Sequence, residues 1–409
     1  MKRLFVTCLI LSASPLLLAQ SVSPEPAKKF ALKNPDLKIS PFIQLQAWGV
    51  RSLERSTQLD TDPNLDSAEQ RTNFYLRRGR FGFRGKPYEN LSFMLSLYYD
   101  NTGHDSMGAT RGGTNPASSG PTTVGVWDSY LTWKVSENDL FHITAGYFTP
   151  QISRESMTSP FRISSFEQAP SQSYVRRSVI GRSYGRSTGI NFGGLKHNDG
   201  FGINYNVGVF NKNTTGKDKN ESQGDDNSLV YVGRMAATFG DEEMKKYGLG
   251  YQTNYFGRRN GLTLALNGST QERTPLYKAN RVIGADLLFN YGNLNVDSEF
   301  HYIYKKGLGK DSYARARTGH FRMGYNFFLE NGTVIEPALM LSSFFGDEGS
   351  DYTGRDTVYD VGLNWYLDEN NYKLYVHYVN QDGDGSNTVH KNGSYHYGDF
   401  VGVGLTLQF

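Results

Sequence analysis

Six arginines crowd into the 38 residues from Thr149 to Arg186: Arg154, Arg162, Arg176, Arg177, Arg182 and Arg186. Only Glu155 and Glu167 oppose them, which leaves the stretch a net charge of +4. A guanidinium presents five N–H donors in a planar fork that fits carboxylate and phosphate oxygens two at a time. It stays charged throughout the physiological pH range. Clustered inside low-dielectric walls, such groups concentrate anions, and rings of Arg or Lys are what an anion or phosphate pore needs. A second set lies upstream. Arg78, Arg80 and Arg84 are spaced by even numbers, so on a strand they share one face with Gly82 while Phe81 and Phe83 take the other. Arg77 interrupts this order and puts Phe74 and Leu76 on the arginine face, the break expected of a β-bulge. Arg234 and Arg322 are further inward candidates.

Two placements of the loop arginines fit the same composition. In one they line a constriction. In the other they sit on an outer surface against lipopolysaccharide phosphates, or pair with carboxylates such as Asp128, Asp297, Glu299 or Asp360. The long loop also carries Phe161, Phe166, Tyr174 and Tyr184, which a purely solvated linker would not favour. No serine–histidine–acid set and no metal-spaced His pair stands out among the eight histidines. Asp382–Asn387 (DGDGSN) looks like the start of a calcium loop, but its twelfth position is Gly393 rather than Glu, so it reads as a Gly/Asp turn. No enzyme activity, cofactor or resident metal is expected.

The elements that must hold these residues are strands. Residues 1–19 read as a secretory signal: Lys2 and Arg3, then an apolar run to Leu18 and a small residue, Ala19. That run is too short and broken to span a bilayer comfortably. Cys8, the one cysteine, lies within it, so the mature chain has no disulfide or thiolate metal site. Without Lys2 and Arg3 the chain carries 41 basic and 40 acidic residues, so the positive charge of the loop is local placement. Residues 20–38 read as a flexible lead-in rich in Pro and Lys. From residue 39 onward, apolar and polar residues alternate in segments of about ten residues, the length of a tilted membrane-spanning strand. Examples are Phe201 to Val209 and Tyr359 to Trp365. Their polar faces carry charges such as Asp297, Glu299 and Lys305, suited to a water-filled lumen rather than a sandwich core. Connections alternate between short and long, as in outer-membrane barrels. The count is sixteen strands, with eighteen as the alternative, because 241–260 reads either as part of a strand or as additional strand. Trp133, Tyr147, Trp365 and Tyr378 fit aromatic girdles.

The final segment alternates Val401, Val403, Leu405, Leu407 and Phe409 against Gly402, Gly404, Thr406 and Gln408. An alternating last strand with a terminal aromatic resembles the signal that barrel assembly machinery reads. The segment FYLRRGRFGFRGKPYENLSFMLSLYYD, then AGYFTPQISRE before the long loop, GRSYGRSTGINFGG after it and VYVGRMAATF at 231–240 resemble the phosphate-selective porin O and P family. The resemblance implies a sixteen-stranded, usually trimeric barrel whose third loop folds inward to narrow the channel. It also implies arginines and lysines that lead anions to a central basic site. The regularly spaced lysines of a high-affinity phosphate site are missing, so the resemblance speaks for the fold more than for phosphate.

The expectation is an all-β transmembrane antiparallel barrel over 39–409 in the outer membrane of a Gram-negative-type bacterium. It passes small anionic solutes through a constriction of Arg78, Arg80, Arg84, Arg154, Arg162, Arg176, Arg177, Arg182 and Arg186. Its partners are outer-membrane lipid and lipopolysaccharide, two further copies of itself and the barrel assembly machinery, with no nucleic acid. A general or sugar-taking porin and a plugged structural or adhesive barrel are the alternatives.

Overall fold

The computed structural model describes residues 32–33, 35–57, 66–67, 70–104, 123–181, 185–211, 228–274, 277–308, 312–347, 353–383 and 396–409. The strands are β1 (Pro35–Thr57), β2 (Asp66–Ser67), β3 (Thr72–Tyr88), β4 (Leu91–Thr102), β5 (Gly125–Lys134), β6 (His142–Phe148), β7 (Ser187–Asn198), β8 (Phe201–Phe210) and β9 (Val230–Gly240). They continue with β10 (Gly261–Gln271), β11 (Tyr277–Tyr291), β12 (Leu294–Gly307), β13 (Tyr313–Tyr325), β14 (Phe327–Phe328), β15 (Val334–Gly346), β16 (Arg355–Asp368), β17 (Tyr372–Gly383) and β18 (His396–Gln408). Because β2 and β14 are two-residue stubs, sixteen long strands make the wall. Each pairs antiparallel with its neighbours, and β18 returns to β1, so the sheet closes and keeps no open edge. β1 begins at Pro35, inside the segment read as lead-in, and pairs there with Tyr88 of β3.

Period-two alternation decides which face meets what. Along β16, Tyr359, Val361, Leu363 and Trp365 are exposed outward, while Asp356, Asp360, Asn364 and Tyr366 are buried inward. That arrangement is the reverse of a soluble sandwich and fits a barrel bathed in lipid. At one rim the connections are short, as at 89–90, 199–200 and 292–293. The chain's last residue lies there too: Phe409 N donates to Ile43 O at 3.0 Å, and Ile43 N donates to Phe409 O at 2.8 Å.

Two bulges re-aim side chains into the lumen. Opposite β1, Gln46 pairs with Arg78 and Ala47 with Leu76, so Arg77 is the extra residue. The shift turns Phe74 outward, 75% exposed, and buries Tyr75 at 6%. Arg77 and Arg78 therefore both reach inward, which explains the break in the sequence pattern. Between β4 and β5, Ser96 pairs with Asp128 and Leu97 with Val126, so Trp127 is extra and joins Asp128 on the inner face.

The segment 241–260 is neither part of a strand nor an additional one. β9 stops at Gly240 and β10 starts at Gly261, with Asp241 N donating to Asn260 O at 2.9 Å across the gap. The charged run from Asp241 to Lys246 has no alternation to offer a ladder. Instead the segment leaves the short-turn rim and enters the lumen. There Tyr251 forms an isolated parallel bridge with Thr158 of the long loop.

Candidate functional site

The loop after β6 holds two helices, α1 (Arg154–Met157) and α2 (Ser171–Ile180). Ser153 caps α1, its hydroxyl accepting from Ser156 N at 3.1 Å. α2 ends at Gly181, whose φ of 84° is the left-handed conformation that glycine adopts without strain. Tyr174, Val175, Val179 and Ile180 of α2 pack with Phe148, Phe210, Val282 and Phe344 from the wall. Burial of this apolar stripe holds α2 against β11, β12, β13 and β15.

Polar contacts tie the loop to acidic wall residues. Glu299 of β12 accepts from Ser153 Oγ at 2.7 Å, Glu155 N at 3.1 Å and Ser171 Oγ at 3.2 Å. Asp360 of β16 accepts from Phe166 N at 2.7 Å, and Asp356 accepts from Tyr174 O–H at 2.6 Å. Arg322 of β13 joins Glu155 of the loop (2.6 Å) to Asp297 of β12 (3.0 Å). Glu155, Asp297 and His320 converge in the manner of a metal ligand set, but Arg322 donates to both carboxylates and His320 Nε2 lies 2.8 Å from Asp297. On the opposite wall, Glu167 of the loop binds Arg77 (2.7 Å) and Arg78 (2.5 Å). With ties to β3 on one side and β12–β16 on the other, the segment crosses the lumen.

Burial alone would raise the Glu167 carboxyl, but Arg77 and Arg78 outweigh it and hold the group at about 2. The folded value lies below the unfolded one, so this tie stabilises the loop fully above about pH 4.5 and fades as pH falls toward 2. Single-channel conductance should accordingly be steady from pH 7 to 5 and become unstable only near pH 3. Glu167→Gln should show the unstable behaviour already at pH 7.

The turn-side segment braces the loop from the other rim. Glu243 accepts from Arg154 Nη1 at 2.6 Å and Nη2 at 3.1 Å. Tyr251 N donates to Met157 O at 3.3 Å, and Asn254 donates to Glu336 at 3.0 Å. Arg154 Nε donates to Asp286 at 3.0 Å, and Arg234 holds the same carboxylate through Nε (2.9 Å) and Nη2 (2.7 Å). Arg154 therefore pairs through all three of its nitrogens and is 0% exposed.

What remains open is a cavity of about 300 Å³ between the loop and the wall of β1 and β3–β6. Arg80, Arg84, Arg162, Arg176 and Arg186 line it, against Asp128 as the acidic lining residue. A second cavity of about 380 Å³ shares Arg84, Met94, Tyr130 and Leu249 with the first and adds Lys38 and Lys86 toward the short-turn rim. Trp127, re-aimed by its bulge, carries Arg80 3.8 Å and Arg186 3.6 Å from its ring centre, a stacking that orders both guanidiniums. Arg80 also pairs with Asp100, one contact being 3.0 Å, and Arg186 Nε lies 3.4 Å from Asp128. Arg176 donates from Nη2 to Ser156 O at 2.6 Å, while its buried Nε has no partner among the described residues. Burial, then the charge of Arg186, pushes the Arg176 guanidinium down to about 9, which leaves it cationic at neutral pH.

The nine arginines expected at a constriction thus divide. Arg80, Arg84, Arg162, Arg176 and Arg186 meet around the cavity. Arg78 and Arg154 are spent on ties that seat the loop, and Arg177 is on the exposed side of α2. Arg182 lies outside the described residues, as do 384–387 of the Gly/Asp turn. Trp127 and the 241–260 brace were missed. The length of 241–260, beside two-residue turns at the same rim, was the signal for the second.

The profile of the family "Phosphate-selective porin O and P" matches residues 55–409. The chain belongs to this family. This porin is accordingly an outer-membrane β-barrel channel and not an enzyme. It resembles the anion-selective porin from Comamonas acidovorans, with 13% identity, TM-score 0.59, and 91% of this chain and 100% of that chain covered. It resembles Pseudomonas putida OprB at high pH with 7% identity, TM-score 0.58, and 91% and 94% covered. The outer membrane channel DcaP of Acinetobacter baumannii matches with 13% identity, TM-score 0.52, and 93% and 100% covered. At these identities the likeness speaks for the fold. No curated protein matches the sequence.

Proposed function

We propose that this porin is a passive channel that prefers small anions, and that its constriction is the cavity between the long loop and the β3–β6 wall. The observation that carries this reading is the asymmetry of charge. The loop sits on the acidic wall, where Glu299, Asp286, Asp356 and Asp360 are consumed by its donors. The cavity left over is lined by five arginines against one aspartate. Fixed positive charge in a narrow low-dielectric passage admits anions and repels cations. The test is the reversal potential of the purified protein in planar bilayers under a potassium chloride gradient. The sign expected is that of chloride preference, and a potassium-preferring potential overturns the proposal.

The wall favours assembly with further copies, a homotrimer as the family resemblance implies. β6 has 7 residues. At about 3.3 Å per residue and a tilt of about 45°, such a strand rises about 16 Å, short of the ~25 Å apolar band of an outer-membrane barrel. Leu131 on β5 beside it is exposed, as is Leu95 on the next strand, β4. A second copy would cover this low sector, and the mass of the detergent-solubilised protein decides between one copy and three.

A further inference from the structure

We propose that the constriction selects organic carboxylates that carry an aromatic or apolar body, in preference to phosphate. The inference rests on the anion-channel reading and names its solute class. Three features of the cavity carry it.

The first is the donor set. The upper cavity has arginines and no lysine. Arg176 is 6% exposed, spends one Nη on Ser156 O and keeps an unpartnered Nε within the cavity lining. A planar guanidinium matches the oxygens of a carboxylate or a phosphate edge to edge, so this donor set asks for an oxyanion and the remaining features choose its body.

The second is the waist between the two cavities. Arg84 of β3 is in register with Met94 of β4, and Met94 with Tyr130 of β5. Leu249 of the turn-side segment completes the set shared by both cavities. One guanidinium and three largely apolar side chains thus frame the boundary that both cavities share. A hydrated inorganic anion would shed water there against Met94 and Leu249, which return no hydrogen bonds, and would keep only the Arg84 donors and the Tyr130 hydroxyl. A solute with an apolar body would bury that body on Met94, Tyr130 and Leu249. Its carboxylate would pass from Arg176 and Arg186 to Arg84, and then to Lys38 and Lys86 beyond the waist.

The third is size. A cavity of about 300 Å³ lies at the lower bound of sites that hold small organic ligands among apolar walls with a few placed polar groups.

The experiment measures chloride current through the full-length protein in planar bilayers while benzoate, acetate or inorganic phosphate is added. Benzoate is expected to halve the current at a concentration at least tenfold below that needed of acetate or phosphate. Arg176→Gln should raise the benzoate concentration at least tenfold. Leu249→Asn, in a segment outside the wall, should narrow the gap between benzoate and acetate. Phosphate acting at or below the benzoate concentration overturns the proposal, and so does benzoate block that survives both variants unchanged. The wild-type reversal potential in the same membranes reports separately on anion preference. A potassium-preferring channel defeats that reading, whereas an anion channel blind to benzoate defeats only this one.

Discussion

Replacing both Arg176 and Arg186 by glutamate should reverse the ion preference of the channel. Both guanidiniums face the cavity: Arg186 Nε lies 3.4 Å from Asp128, and Arg176 donates to a backbone carbonyl. The double change converts a five-to-one excess of basic lining charge into three of each sign, with the new carboxylates beside Asp128. Two unit charges about 6 Å apart at an effective dielectric of about 20 interact by about 3 kcal/mol before salt screening. Even after screening over a Debye length of about 8 Å, a change of at least tenfold in the chloride-to-potassium permeability ratio is expected. Reversal potentials in a potassium chloride gradient measure it directly. Arg176→Gln with Arg186→Gln should fall between, with a preference near unity. Undiminished chloride preference in the glutamate variant would place the selective charges elsewhere.

The second large effect should come from Asp286→Ala. This carboxylate, 4% exposed, accepts from Arg154 of the loop, from both Nε and Nη2 of Arg234, and from Asn267 at 3.3 Å. Its removal leaves two buried guanidiniums, Arg154 held by Glu243 and Arg234 by the Tyr251 hydroxyl. Breaking a buried ion pair on one side costs about 3–5 kcal/mol. The wall need not suffer, because the backbone of residue 286 remains paired with Ala265 and Glu299. The loss should therefore fall on the loop and on the segment that braces it. A higher and noisier single-channel conductance is expected, with the barrel still migrating as a folded species in unheated detergent gels. Asp286→Asn keeps an acceptor for each arginine and should recover part of the quiet state. Conductance indistinguishable from wild type would show that the loop does not depend on this tie.

The barrel was legible because its rule is local. Alternation in residues such as Tyr359 to Trp365 states inside and outside without reference to any other strand. The inward arginines Arg78, Arg80 and Arg84 followed from the same rule, and the bulge at Arg77 showed itself as a break in it. Trp127 is a bulge residue as well, but a Trp in an aromatic-rich strand gives no sign of which face it takes. The division of the loop arginines was beyond reach for a different reason. Arg154 is consumed by Glu243 and Asp286, which are 89 and 132 positions away, and no local pattern records such partners. The same holds for 241–260, whose Asn254 meets Glu336 across 82 positions. Charge counting could show that the loop is basic, but not which cations would be left free.

The seam between β1 and β18 has a consequence for the order of assembly. Gln44 donates to Gln408 at 2.8 Å across 364 positions, so the first strand has no final partner until the last one exists. Until then β1 presents an unpaired edge, a template for wrong pairing. The basic loop waits as well: Phe166 meets Asp360 after 194 positions, and Ile163 accepts from Lys373 after 210. Contacts this distant are slow to form, since the chain must first lose the entropy of large loops. Sealing the wall and seating the loop thus belong to one late event, and a nascent chain stopped short of β16 would hold its arginines with nothing yet built to receive them.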